Sequence, residues 1–390
     1  MKTPSNPARP ARRLDDISEY YFSRKLAEIA AMNASGADVI SLGIGSPDNP
    51  PPREVIDCLR EEATRRDAHG YQPYAGTPGL RAAFSTWYAR HYRVTLDATE
   101  ILPLIGSKEG ITHVSLAFLD PGDEALVPDP GYPTYRSASR LAGAIPVPYD
   151  LREDHGWQPD WEALERADLS RVKLMWANYP NMPTGAPATR ELFERLVDFG
   201  RRHGIVICHD NPYSFILNEH PASILEVEGA REWCIELNSL SKSHNMPGWR
   251  VAMLASNSRF VEWVLKVKSN VDSGQFRPVM LAAARALSVP DEWYASNNRV
   301  YAARREIAEQ IMTTLGCAFD PRQAGMFLWG RVPDRWNDGE ELSDELLRRA
   351  RVFITPGRVF GENGRRHARL SLCREEERLR EALQRIVQFM

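Results

Sequence analysis

Residues 172–185 read Val172-Lys173-Leu174-Met175-Trp176-Ala177-Asn178-Tyr179-Pro180-Asn181-Met182-Pro183-Thr184-Gly185. The first seven form an apolar run of strand length. The Asn, Pro and Gly residues that follow cannot continue a strand, so the chain turns there. A run that is apolar at successive rather than alternate positions fits a strand covered on both faces. Outward from this stretch the same unit recurs: residues 101–105, 125–127, 145–149, 205–208, 233–237 and 251–254 are apolar runs separated by helical patterns. This alternation predicts an α/β fold, a mainly parallel doubly wound sheet flanked by helices. Ligands in such sheets sit at the carboxyl ends of the strands. The strand-end loops are therefore where chemistry is to be sought.

Towards the N-terminus, residues 1–17 carry Lys2, Arg9, Arg12 and Arg13 among prolines and predict a loose arm. They lack the continuous apolar stretch of a signal peptide. Phe22, Leu26, Ile29 and Ala30 then recur at helical spacing over residues 18–32, ahead of a short strand at 39–42 and a Gly- and Pro-rich loop at 43–50. Two more helical patterns, 53–66 and 79–92, bracket a turn holding Tyr71 and Tyr74. Beyond residue 276 the pattern changes to long charged helices, 279–287 and 297–315, and short strands near 327–329 and 369–372. The expected organisation is a large domain over 46–278 and a smaller α+β domain over 279–390 that residues 18–45 join.

Composition bounds the function. The chain has 390 residues, 43% of them hydrophobic, and a net charge of −3, which favours neither nucleic acid nor an acidic membrane and leaves small metabolites as partners. Five scattered cysteines with no C-x-x-C spacing argue against a disulfide framework or a structural metal, so a cytoplasmic protein without a metal site is expected.

Each strand end carries a reactive or binding group. Gly106-Ser107-Lys108-Glu109-Gly110 closes a strand and opens a helix, whose free first-turn amides would stabilise an anion; a plain helix start has the same sequence. Tyr132 follows the next run and can stack on a planar ligand or pack a turn. Asp210 ends another strand, as a ligand group or as a helix N-cap. Ser239-Leu240-Ser241-Lys242, with Arg250 eight residues on, places a lysine directly after an apolar run. In an apolar pocket a lysine loses its proton and attacks carbonyls; on a surface loop it does neither. Alone, each motif has a bland reading. Together with the asparagines of the turn at 178–185, they place an anion-ready helix start, an aromatic, an amide, a carboxylate and a Ser-Lys-Arg cluster on one sheet edge. A molecule with a phosphate, a flat ring, a ring nitrogen and an aldehyde would use all five, and pyridoxal 5′-phosphate is such a molecule.

With these motifs, and with Asn-Met-Pro-Thr-Gly and Arg369-Leu370-Ser371, the chain resembles the class I and II aminotransferases, fold type I pyridoxal-phosphate enzymes of the aspartate aminotransferase superfamily, over roughly residues 42–372. The resemblance implies that Lys242 is the covalent anchor of the cofactor and the base that moves the Cα proton. It implies Asp210 under the ring nitrogen, Tyr213 on the phenolic oxygen and Tyr132 stacked on the ring. Ser239, Arg250, Gly106, Ser107 and Lys108 would hold the phosphate, with Tyr71 reaching over from the second subunit of a homodimer. Arg369 would grip the substrate α-carboxylate, with Ile44 and Gly45 beside it and Phe327 nearby. Met182 is a departure, because the family usually has asparagine at that position. Either Asn181, one residue earlier, reaches the phenolic oxygen, or Tyr213 acts there alone. The implied reaction moves an α-amino group from an L-amino acid to a 2-oxo acid in a ping-pong cycle. Residues 209–214 look most like diaminopimelate and broad-range alanine or aspartate transaminases. The same fold hosts β-lyases, decarboxylases and oxidases, and more remotely a non-enzymatic cofactor sensor, for which residues before 42 leave no room for a DNA-binding module. Lys268 and Arg277 are candidates for a distal carboxylate or, more simply, surface charge.

Overall fold

A short strand, β1 (Ile40–Ser41), follows the first helix, Tyr21–Ala34. The computed structural model describes residues 8–15, 17 and 19–390. Lys2 of the basic arm and Ser18, the expected helix start, lie outside the described residues.

The seven apolar runs form seven strands: β2 (Ile101–Leu104), β3 (Glu124–Asp129), β4 (Ile145–Asp150), β5 (Val172–Ala177), β6 (Val206–Asp210), β7 (Cys234–Ser239) and β8 (Ala252–Ala255). They form one sheet in the order β2-β8-β7-β6-β5-β3-β4. β8 is antiparallel to β2 and to β7, and every other pair is parallel. The one reversed strand matters for the site. β8 begins at the edge where its neighbours end, so Arg250, just before it, joins the groups at their carboxyl ends.

Both faces of the sheet are covered, which explains why its strands read as continuous apolar runs. All residues of β2, β3, β7 and β8 are buried, whereas β4, at the edge, is half exposed. On one side, Ile111 and Val114 of helix Ser107–Phe118 and Phe260 and Val264 of helix Ser258–Lys268 pack against Leu104, Val127 and Leu237. On the other, Leu80 and Phe84 of helix Pro78–Tyr92, Leu196 of helix Arg190–His203 and Met280 of helix Arg277–Ala286 meet Met175, Ile207 and Met253. Trp176 is fully buried in β5, so truncating it to alanine would cost about 3–5 kcal/mol.

A second, smaller sheet comes from the C-terminal third. β9 (Phe327–Arg331), β11 (Thr355–Pro356) and β12 (His367–Ser371) pair antiparallel in the order β11-β12-β9, while β10 (Val352–Phe353) pairs in parallel with β1. Helices Asp291–Thr314 and Glu376–Phe389 pack on them through Ile311, Leu379 and Ile386, in a core that also takes in Ile40 and Leu42. The N-terminal loop is fixed here: Ser371 donates its amide to the Leu42 carbonyl at 2.7 Å, and Thr355 Oγ1 donates to that of Gly43 at 2.9 Å. This pins residues 43–45 beside the edge of the large sheet. Among the described residues no helix is long and apolar enough to cross a membrane.

Candidate active site

An anion cup forms where β2 gives way to helix Ser107–Phe118. Gly106 is the N-cap at φ +85°, a backbone conformation that favours glycine, and a Cβ there would collide with the Arg250 guanidinium. The first-turn amides are thereby left facing the sheet edge. Arg250 is oriented by its own chain, Nη1 donating to the Pro247 carbonyl at 2.9 Å, and among the described residues it has no carboxylate partner. Ser239, at the end of β7, donates from Oγ to Ser241 Oγ at 2.9 Å and accepts the Ser241 amide at 3.1 Å. Hydroxyls, amides and a guanidinium converge here, a donor set suited to a phosphate, while Glu109 of the helix's first turn is engaged by the Ile105 amide at 2.6 Å.

Beside the cup, Asp210 ends β6 and is 5% exposed. Its Oδ2 accepts the Tyr135 hydroxyl at 2.9 Å and its Oδ1 has no hydrogen-bond partner. Burial pushes its pKa up to about 6, against the opposing pull of the Tyr135 hydrogen bond. Tyr135, on helix Pro133–Leu141, is held by stacking on Trp176, with centroids 5.1 Å apart and an interplanar angle of 6°. Asn178, just past β5, donates Nδ2 to the Asp210 carbonyl at 2.6 Å. A buried carboxylate with one free oxygen is a site for a cation or a protonated ring nitrogen.

Lys242 lies in the short helix Leu240–Ser243, capped by Ser239. Its Nζ donates to the Gly45 carbonyl, so the loop pinned by the small sheet reaches the lysine of the large one. Removal from water pushes the Lys242 pKa down to about 8, and the positive charges of Arg369 and Arg250 act in the same direction. About a tenth of it is then the free amine at pH 7, against well under a thousandth for an ordinary lysine.

Arg369, in β12, closes the far side. Nη2 donates to the Gly43 carbonyl at 2.7 Å and Nη1 to Met182 Sδ at 3.0 Å. The ring centroids of Phe327, Phe360 and Phe22 lie 3.9, 4.6 and 5.5 Å from its Cζ. Burial pushes its pKa down to about 10, still well above neutral, so the guanidinium is charged.

These groups share one cavity of about 620 Å³. Of the residues expected from the sequence, Ile44, Gly45, Ser107, Lys108, Tyr132, Asp210, Tyr213, Ser239, Lys242, Arg250, Phe327 and Arg369 line it, with Gly106 against Arg250. Asn181 does not line it. Its Oδ1 accepts both the hydroxyl and the amide of Thr184, and its Nδ2 donates to the Asn178 carbonyl at 3.1 Å, so the amide is used up inside the turn and Met182 faces the cavity instead. Tyr71 is outside this cavity and 94% exposed. Lys268 is not surface charge: it is 1% exposed and paired with Asp272, while Arg277 pairs with Asp67 at 3.0 Å. Sequence reading missed Tyr135, Asn178, Tyr20, Phe22 and Phe360. Tyr135 had a signal, lying one helical turn after Tyr132 on the same face. Tyr20 and Phe22 had none, since nothing local to residues 20–22 says that they roof a site built by residues 106–250.

The family model for aminotransferase class I and II matches residues 37–386. An LL-diaminopimelate aminotransferase of Desulforudis audaxviator is 43% identical over 379 residues, 96% of each chain. Among solved structures, apo-BacF from Bacillus subtilis superposes with a TM-score of 0.93 at 35% identity over 98% of each chain. An aspartate aminotransferase from Thermus thermophilus with maleate gives 0.91 at 26% identity over 98% of this chain and 100% of that one.

Proposed function

This chain belongs to the class I and II aminotransferases, and we propose that Lys242 is the residue on which its amino transfer turns, with pyridoxal 5′-phosphate held across the strand ends around it. The family is generally pyridoxal-phosphate dependent. One observation carries the reading for this chain: a lysine with a lowered pKa opens into the same cavity as an anion cup, a carboxylate with a free oxygen and a guanidinium that has no carboxylate partner among the described residues.

The bound cofactor supplies an aldehyde carbon that carries the amino group and a ring that accepts the electrons released at Cα. The helix at Ser107, with Ser239 and Arg250, binds the phosphate. Asp210 holds a proton on the ring nitrogen, and Tyr135 keeps that carboxylate aimed. Tyr132 covers the ring, and Tyr213 donates to the phenolic oxygen without help from Asn181. Arg369 orients the donor by its α-carboxylate, with Ile44, Gly45 and Phe327 shaping the space beside it. Lys242 Nζ would take the proton from Cα and deliver it to the cofactor's aldehyde-derived carbon, and the second half-reaction would run the same transfer in reverse.

A donor bearing a second charged end fits the remaining cation. Lys108 is exposed at the cavity, its Nζ 4.2 Å from the centroid of the Tyr20 ring, and no acid pairs with it among the described residues. LL-diaminopimelate, named in the relatives, is accordingly the first donor to test. Exposed Tyr71 and Tyr74 mark the face through which two subunits pair, with Tyr71 completing the phosphate site of the other subunit in a cytoplasmic homodimer.

The test is a half-reaction. Single amino acids are added to the cofactor-loaded enzyme without an acceptor, and products are counted. One 2-oxo acid per active site, with the cofactor left in its amine form, is the expected result. Continuous release of ammonia or carbon dioxide would replace amino transfer with elimination or decarboxylation.

A further inference from the structure

Arg369 is 4% exposed and still has no carboxylate partner among the described residues. A guanidinium carries five N–H donors. One is taken by the Gly43 carbonyl at 2.7 Å, another by Met182 Sδ at 3.0 Å, and Nε has no partner. Phe327 and Phe360 cover its faces but supply no acceptor in its plane. Among the described residues Met182 is thus the one side chain that accepts from the Arg369 fork, and it does so from the cavity wall. Its place is fixed from behind, because its amide donates to Asn178 Oδ1 at 2.8 Å.

A thioether sulfur is a weak acceptor, and a carboxylate oxygen facing a guanidinium is a strong, charge-assisted one. We propose that Met182 is a positioning residue that occupies Nη1 of Arg369 while the site is empty and yields it to the α-carboxylate of the incoming amino acid or 2-oxo acid. This rests on the reading of Arg369 as the carboxylate grip. The weak acceptor keeps the fork aligned without neutralising it. An amide or acid at the same place would compete with the substrate.

The proposal has a sign. A contact present only in the empty site stabilises that state, so removing it tightens carboxylate binding and strengthening it weakens binding. The probe is butyrate, which has a carboxylate but no amino or oxo group and so cannot react, titrated calorimetrically into cofactor-loaded wild type, Met182→Leu and Met182→Gln. Met182→Leu keeps the volume and loses the acceptor; it should bind butyrate about two- to fivefold more tightly. Met182→Gln offers an amide oxygen and should bind about tenfold more weakly. With an amino donor the changes should appear in KM and leave kcat within about twofold. Weaker binding by Met182→Leu, or equal affinity in both proteins, overturns the proposal, and that comparison stands even where the glutamine variant fails to fold. Arg369→Ala separates the two levels. If it loses butyrate binding while the Met182 series runs the wrong way, the proposal fails and the carboxylate grip stands; if it binds butyrate as wild type does, the grip itself is wrong.

Discussion

Around Asp210 and Arg250 the cavity is walled by loops that leave neighbouring strands of one sheet, whereas around Arg369 it is walled by residues 22, 43–45, 182, 327 and 360, which meet only in the folded chain. The first wall is set by the backbone ladder: Asp210 pairs with Leu237, and Ala177 with His209, so the groups they carry are spaced by strand register. The second is set by side-chain packing, with aromatic rings and a thioether around a charge that has no counter-ion among the described residues. A wall built on backbone hydrogen bonds is rigid and suits a group that stays. A wall of rings and sulfur can readjust and suits a group that comes and goes. The half proposed for the cofactor and the half proposed for the substrate thus differ in material as well as in position.

Substitutions that damage one half and spare the other test that division. Asp210→Asn should lower the half-reaction rate by about a thousandfold, a loss of roughly 4 kcal/mol of electrostatic stabilisation, in a protein that still folds and binds substrate carboxylate. Rapid-mixing absorbance would measure it. Arg369→Lys should reduce kcat/KM about a hundredfold, through loss of the fork geometry, with cofactor affinity unchanged by equilibrium dialysis. A parallel loss of cofactor would mean that the halves are not separable. Gly106→Ala should act the other way round. Forcing a side chain into a left-handed backbone beside Arg250 should weaken cofactor binding about tenfold and leave donor KM nearly untouched.

The pH behaviour is also assigned by half. Asp210 has a folded pKa near 6, above its ordinary 3.8, so the folded chain holds the extra proton more tightly than the unfolded one does. Its contribution to stability is fully present below about 4 and lost as pH rises through 6. The cofactor-free protein should therefore gain stability from this group between pH 6 and 4, and the Asp210→Asn variant should lack that slope in denaturant titrations. The smallest effect is expected at the roof: Phe22→Ala, which removes a ring 5.5 Å from the Arg369 charge, should raise donor KM a few-fold by steady-state kinetics without changing cofactor affinity.

The same division explains what the sequence disclosed. The strand runs were legible because burial on both faces writes a continuous apolar signature, and all seven appear where the pattern placed them, within a few residues at each end. Asp210, Ser239, Lys242 and Arg250 were legible because each sits next to such a run. Arg369 and Phe327 were named through family resemblance, and periodicity alone would have passed over them. Tyr20 and Phe22 went unread because the cations they meet, Lys108 and Arg369, lie far along the chain, and Phe360, though near Arg369 in sequence, stands in no periodic pattern that marks it. Asn181 was misplaced for a local reason: the two asparagines of the turn are a helical turn apart in sequence, and the hydroxyl of Thr184 captures the second while the first, Asn178, reaches Asp210.

The central claim is that Lys242, and no other lysine, joins the cofactor to the chain. Incubating the protein with pyridoxal phosphate, reducing with borohydride and sequencing the modified peptide by mass spectrometry tests it directly. The account predicts one stable adduct per chain, on Lys242, formed faster as pH rises through about 8, where this half-buried amine loses its proton, and absent from Lys242→Ala together with the half-reaction. An adduct on Lys108, or a Lys242→Ala protein that still converts an amino acid to its 2-oxo acid at the wild-type rate, would contradict it.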